Sequence, residues 1–195
     1  MTRFIIFGLL FLIQSQMCSC YIAHDKEIIC YDNFKKAKEI AYNNFSKTSS
    51  LDSALVLVNR SMPCDSIRKS VIELKLRLLI TLKKYKEGAE FIDSLTNDDF
   101  EYTYKRKLNH DNFIALKFQS NKDTNNRNSV YRKMDANLEK YINSNKLSSK
   151  EFEEAFLDLY TIKGNFIDPI RINQEIDSLK RTYPAKANFF SFFQQ

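Results

Sequence analysis

A pattern that occurs twice at a fixed interval restricts the fold of this chain more than any other feature. Leu51-Asp52-Ser53-Ala54-Leu55-Val56-Leu57-Val58 is matched 34 residues later by Tyr85-Lys86-Glu87-Gly88-Ala89-Glu90-Phe91-Ile92. Each copy places a large residue first, a small one three positions on (Ala54, Gly88), and an apolar one four further (Val58, Ile92). Steps of three and four residues keep all three positions on one face of a helix. The small residue marks a close approach of two helices, and the large ones beside it fill the groove between them. A helix-turn-helix unit of that length hides its apolar face only against a neighbour.

Composition agrees with helices. Only three Gly and three Pro occur in 195 residues, and Trp is absent. Few breakers with much Leu, Lys, Glu and Ala favour long helices over strands. The length suits one domain with a real core, and an apolar content of 44% is globular. The expected succession is eight helices in four antiparallel hairpins. Asp25 caps the first, which runs to about Lys47 with Ile28, Tyr31, Phe34, Ala41, Tyr42 and Phe45 at its apolar positions. Ser49 and Asp52 form a capping-box pattern opening the second, and Pro63 stops it at Met62. Asp65 caps the third, with Ile72, Leu76 and Leu79 inward, and Tyr85 to Leu95 is its short partner. Thr96 and Asp99 open the fifth, which carries Phe100, Tyr104, Leu108, Ala115 and Phe118. A polar stretch from Ser120 to Asn128 is expected to be an exposed, mobile loop before Val130, Met134, Leu138 and Tyr141. Ser148 and Glu151 start the seventh helix, with Phe152, Ala155, Phe156 and Leu159 inward. Asp168-Pro169 starts the eighth, which carries Ile172, Ile176 and Leu179 and ends before Pro184.

The 34-residue interval and the large-small-apolar positions resemble the tetratricopeptide repeat, and Tyr160 followed by Gly164 resembles the Tyr-then-Gly ending of that repeat's first helix. The resemblance covers about half the chain. It implies an all-α fold over residues 25–184, antiparallel hairpins stacked as a short right-handed solenoid. A generic array of helical hairpins is the alternative.

Residues 1–19 read as an export signal: Arg3, then the apolar run Phe4 to Ile13, then Gln14-Ser15-Gln16. That run is too short for a permanent membrane helix. Met17-Cys18-Ser19-Cys20 is similar to the bacterial lipoprotein box, with Ser19 at the small position before the cysteine and Met17 where Leu is usual. The resemblance implies cleavage before Cys20, lipidation of Cys20, and a tether over 20–24. Cys18 is the rival position, and an ordinary secretory signal the alternative. A lipid-anchored place in the cell envelope follows, at the outer membrane on its periplasmic or surface side.

Cys30 and Cys64 are the cysteines left after cleavage, and they too are 34 apart. They lie at adjacent ends of an antiparallel first hairpin in an oxidising compartment, so a disulfide between them is expected, with two separate buried thiols as the alternative. His24 and His110 have no Cys or second His at ligand spacing, so no metal is expected. No phosphate loop or nucleophile elbow occurs, and neither a cofactor nor enzyme activity is expected. The formal charge of +6 is spread over Lys35-Lys36-Ala37-Lys38, Lys83-Lys84-Tyr85-Lys86 and Lys105-Arg106-Lys107. These read as solvated helix faces and not as a nucleic-acid surface. The tail, residues 185–195, holds Phe189, Phe190, Phe192 and Phe193 outside any expected helix. It either folds back as a cap on the last hairpin or offers an aromatic anchor to a partner. Tyr31, Tyr42, Tyr85, Tyr104, Tyr131 and Tyr160 are candidate groove residues that could equally be core.

The expected function is a lipid-anchored envelope module that binds a protein or peptide through a helical-repeat groove. A part in envelope assembly, or glycan capture by analogy with larger helical-repeat lipoproteins, are the alternatives. The missing Trp argues against glycan capture.

Overall fold

The computed structural model describes residues 27–43, 47–144, 146–167 and 169–194. The signal segment, Cys20, the 20–24 tether, His24, Asp25, Phe45 and Asp168 lie outside the described residues. Nine α-helices and no strand occur among those described. The chain divides into two compact units, 1–84 and 85–195.

The first unit comprises α1 (27–43), α2 (Thr48–Ser61), a 3-10 turn (Asp65–Ile67) and α3 (Arg68–Thr81). On α1 the inward side chains are Cys30, Ala37 and Ala41, and on α2 they are Leu51, Ala54, Leu55, Val58 and Ser61. Both sets recur at helical spacing, and the small residues let the helices close on α3. On α3, Val71, Ile72, Leu74, Leu76, Leu78 and Leu79 are all buried, so this helix is covered on more than one side. Its Arg77 donates to the Tyr42 hydroxyl of α1 at 3.4 Å.

Two expected caps do not form here. Thr48 is already helical, which places Ser49 inside the first turn, where its hydroxyl cannot serve as the cap. Asp52 turns instead to Lys84, whose Nζ donates to Oδ1 at 2.7 Å. Asp65 opens the 3-10 turn, and α3 itself starts three residues later. The end of α3 is closed by Lys83 at φ 57°, with the Lys84 N–H donating to the Leu79 carbonyl at 2.9 Å.

Cys30 and Cys64 stand joined as a disulfide with their Cα atoms 5.9 Å apart, inside the ordinary range. Tying α1 to the end of α2 across 34 residues removes denatured-state entropy worth about 3–4 kcal/mol. Reduction is therefore expected to lower the melting temperature of the first unit. Intact mass before and after reduction and alkylation checks the bond, and two freely alkylated thiols in the unreduced protein would refute it.

The second unit comprises α4 (Tyr85–Asp93), a 3-10 turn (Asn97–Asp99), α5 (Thr103–Ser120), α6 (Thr124–Ser144), α7 (Ser149–Lys163), α8 (Pro169–Thr182), a 3-10 turn (Pro184–Lys186) and α9 (Ala187–Ser191). The short helix α4 lies along α5. Gly88 accounts for this: an ideal Cβ there would stand 2.1 Å from Cε1 of Phe113, a ring on α5 that is itself wholly buried. The helices then follow as neighbours, α5 beside α6 and α6 beside α7.

The expected mobile loop over 120–128 is only three residues long. Lys122 at φ 58° closes α5, and Asp123 caps α6 by accepting from the Asn126 N–H at 3.1 Å. A run of Asn that looks like loop is thus the first turn of a 21-residue helix. Thr96 and Asp99 do join, the Thr96 N–H donating to Oδ2 at 2.9 Å, but they close the 3-10 turn and α5 begins at Thr103. Ser148 caps α7 by accepting from the Glu151 N–H at 3.2 Å.

The aromatic tail is helical, contrary to its expected irregular conformation. Pro184 starts a 3-10 turn, α9 follows, and Phe190 reaches zero exposure among Phe156, Tyr183 and Phe189.

Candidate binding cavity and its flanking charge clusters

Tyr104, early on α5, and Tyr141, late on α6, bring their rings to 4.9 Å with a 48° tilt. Their hydroxyls are both held by carboxylates of α7. Tyr104 donates to Asp158 Oδ2 at 2.9 Å, and Tyr141 donates to Glu151. Lys105 donates to the same Asp158 oxygen at 2.7 Å and lies 3.4 Å from Glu154. Anchored in this way, the two tyrosines form one end of a cavity of about 490 Å³ between α5 and α6. Leu108, Met134 and Leu138 give it apolar walls. Asp111 is a buried carboxylate in it, and Asn97, Thr103, Lys107 and Asn137 are exposed around it. Lys107 donates to Asp111 at 2.8 Å, which settles that carboxylate within the helix surface. Such a volume holds one or two large side chains, and such a lining offers apolar contact below and amide hydrogen bonds above.

A second charge cluster joins α6, α7 and α8. Lys163 is 5% exposed, and its ammonium lies 2.8 Å from Glu175, 2.9 Å from Glu139 and 3.8 Å from Asp135. Burial opposes its charge, but the hydrogen bonds to Glu175 and Glu139 prevail, and its pKa stands above that of an ordinary lysine. Burial pushes the Asp135 carboxyl up, because its nearest cation is shared with two other acids. Tyr160, whose ring lies 5.3 Å from that ammonium, is raised to about 12, mainly by burial.

These tyrosines give the unit a defined alkaline limit. Burial is the first cause for Tyr104, Tyr131, Tyr141 and Tyr160, and each is raised above its ordinary value. A raised folded pKa means the contribution is complete below the unfolded value near 10 and is lost as pH rises through the folded value. Absorbance at 295 nm is expected to show part of the tyrosine titrating only together with loss of helix above about pH 10. Smooth titration of every tyrosine with the helix intact would refute this.

The sequence-derived candidates fall in different places. Phe189, Phe190 and Phe193 belong to the core of the second unit, with Phe193 at 5.3 Å from Tyr160, and only Phe192 is open, at 86%. Three of the four proposed partner-binding rings are thus already covered by this chain. Lys105-Arg106-Lys107 is not a free solvated face: Arg106 donates to the carbonyls of Ile92 (3.4 Å) and Asp93 (3.3 Å), ending α4, while its neighbours bind acids. Tyr131 and Tyr160 are core, whereas Tyr31 and Tyr42 are exposed. His110 lies 3.6 Å from both Asp93 and Asp111. Among the described residues no group of three His, Cys, Asp or Glu is placed to hold a metal ion.

Sequence reading missed the Lys163 cluster entirely, since a lysine in the last turn of a helix normally serves the helix dipole. It also missed Phe113, which shares no repeat position with the residues around it. Asp135 and Glu139, one turn apart, were the available hint. Comparison with known proteins finds no matching family model, no matching curated protein and no matching solved structure.

Proposed function

We propose that this chain is a lipid-anchored cell-envelope binding module whose helical hairpins, stacked as a short right-handed solenoid, recognise an extended segment of a protein partner. The observation that carries the reading is the cavity between α5 and α6. An apolar side chain of the bound segment enters between Leu108, Met134 and the rings of Tyr104 and Tyr141. Asn97 and Asn137, exposed at its mouth, pair with the segment's backbone amides. No bond is made or broken; binding comes from burial of that side chain and satisfied amides. The module is held at the membrane by acyl chains on Cys20, where more than one chain makes attachment durable.

The test is photo-crosslinking in cells from a photoreactive residue at Asn137. A protein adduct is expected, falling at least about tenfold when Leu108→Arg fills the cavity with a charge, since an unpaired buried charge costs several kcal/mol. Circular dichroism confirms that the variant folds. Absence of any protein adduct would refute the reading. Labelled palmitate tests the anchor separately, and incorporation should vanish in Cys20→Ala.

Glycan capture is the second reading. Two tyrosine rings beside amide and carboxylate groups, here Asn97, Asn137 and Asp111 with Tyr104 and Tyr141, are also what a sugar ring requires. Retention on a polysaccharide column, lost in Leu108→Arg, together with no protein adduct, would favour it.

A further inference from the structure

Four of the nine exposed large apolar side chains among the described residues lie on α1: Ile28 (48%), Ile29 (61%), Tyr31 (53%) and Tyr42 (59%). Three of them, Ile28, Tyr31 and Tyr42, share one strip of the helix. At 100° per residue, positions 28, 31, 35, 38 and 42 fall within a strip about 80° wide, centred about 120° around the helix from the buried Cys30, Ala37 and Ala41. The strip therefore reads Ile28, Tyr31, Lys35, Lys38, Tyr42, while Ile29 lies outside it, beyond Asp32 and Glu39. Tyrosine and lysine are the side chains suited to a membrane interface, each with an apolar body and a polar tip. The face is also rigidly presented. The Cys30–Cys64 bond fixes one end of α1, and Arg77 donating to the Tyr42 hydroxyl fixes the other, so the strip cannot simply roll inward.

We infer that α1 lies on the bilayer surface, with Ile28 and Tyr31 entering the lipid interface. This rests on the proposal that Cys20 carries the lipid. Glu27 follows Cys20 by seven residues, so even a fully extended link keeps the start of α1 within about 25 Å of the anchor. The bilayer is consequently the surface that this face meets at the highest effective concentration. Charge distinguishes the kind of bilayer contact. Exposed Glu27, Asp32 and Glu39 balance exposed Lys35, Lys36 and Lys38, so contact depends on apolar insertion and not on acidic headgroups. The contact sets how α1, and the first unit bonded to it, is oriented at the membrane.

The absence of Trp makes a direct test available, because Tyr31→Trp introduces a single indole. The full chain, produced in a lipid-modifying bacterial host, is reconstituted into phosphatidylcholine vesicles and into phosphatidylcholine–phosphatidylglycerol vesicles, each with and without brominated acyl chains. Flotation reports attachment, and quenching of the indole reports depth. The expected result is flotation with a blue-shifted emission quenched about twofold or more by bromolipid in both vesicle types, as for an interfacial helix face. Ile28→Asn should relieve the quenching while flotation persists through the lipid.

Flotation without quenching overturns the inference and leaves the anchor standing. A blue shift without bromolipid quenching also overturns it, because the face is then covered by protein. Quenching confined to phosphatidylglycerol vesicles overturns the apolar mode of contact. Quenching retained in Cys20→Ala supports the face and shows that it binds lipid without the anchor.

Discussion

Lys163→Ala is expected to destabilise the second unit by about 3–5 kcal/mol, among the largest effects of any single substitution in this protein. The reason is not the worth of the ion pairs but what their loss leaves behind. Glu175, Glu139 and Asp135 converge on one ammonium that is itself 5% exposed. Without it, three carboxylates share a site whose remaining ion-pair partner among the described residues is Arg171, 3.6 Å from Glu175. Lys163→Met restores the aliphatic volume but not the charge, so it should recover only a small part of the loss. Glu139→Gln, by contrast, removes an acid whose side chain is 49% exposed and should cost little, because solvent already screens that pair. Urea denaturation of the three variants checks the order, and equal stability of Lys163→Ala and wild type would refute it.

The same cluster fixes how these effects change with pH. The folded pKa of Asp135 is raised, so its contribution is complete below its unfolded value near 3.9 and declines as pH rises through the folded one. Ionising Asp135 in the folded unit is therefore a cost that Lys163 offsets. Removing Lys163 takes away the charge that lowers the Asp135 carboxyl, so that carboxyl rises further, and its protonation then relieves the repulsion. The deficit of Lys163→Ala is accordingly expected to shrink on acidification from pH 7 towards pH 5. A deficit that grows instead would show that the cluster contributes through packing alone.

Periodicity revealed the helices because an apolar stripe at three and four is a local property of the chain. Ile72, Leu76, Leu79, Ala155, Leu159, Ile172 and Ile176 all occupy the inward positions expected of them. Helix starts were less legible. Ser49 and Asp65 have the right side chains for caps, but hydroxyl and carboxylate cap only from a non-helical backbone, which the sequence does not specify. The 120–128 stretch misled for the opposite reason: Asn and Lys are tolerable on a solvated helix surface once Asp123 supplies the cap. Partner choice between helices was illegible, since an apolar stripe at helical spacing does not name the neighbour that covers it. The cavity was half legible. Tyr104, Leu108, Met134, Leu138 and Tyr141 stood at helical spacing as core candidates, yet a cavity is a place where core fails to close, and only the relative placement of α5 and α6 creates one.

Gly88 decides that pairing, and its replacement provides the sharpest test of the α4–α5 contact. Alanine is ordinarily better than glycine inside a helix by about 1 kcal/mol. At Gly88 the sign should reverse. The added Cβ would stand 2.1, 2.4 and 2.5 Å from Cε1, Cδ1 and Cζ of Phe113, so either the ring or the whole of α4 must move. Phe113 has zero exposure and no solvent to move into. Overpacking of this kind typically costs about 1–3 kcal/mol beyond the helical gain, and Gly88→Leu should exceed the alanine variant. Phe113→Leu alone costs a part of the roughly 3–5 kcal/mol expected for complete truncation of a buried ring. Combined with Gly88→Ala, it frees the space that the methyl requires, so the double variant should be more stable than the sum of the single losses by about 1 kcal/mol or more. Additive losses in a double-mutant cycle would mean that α4 does not meet α5 through this pair of residues. Because α5 also carries Tyr104, Leu108 and Asp111, a shift at Gly88 that propagates along it should weaken ligand adducts at Asn137, and restoring space at Phe113 should restore them.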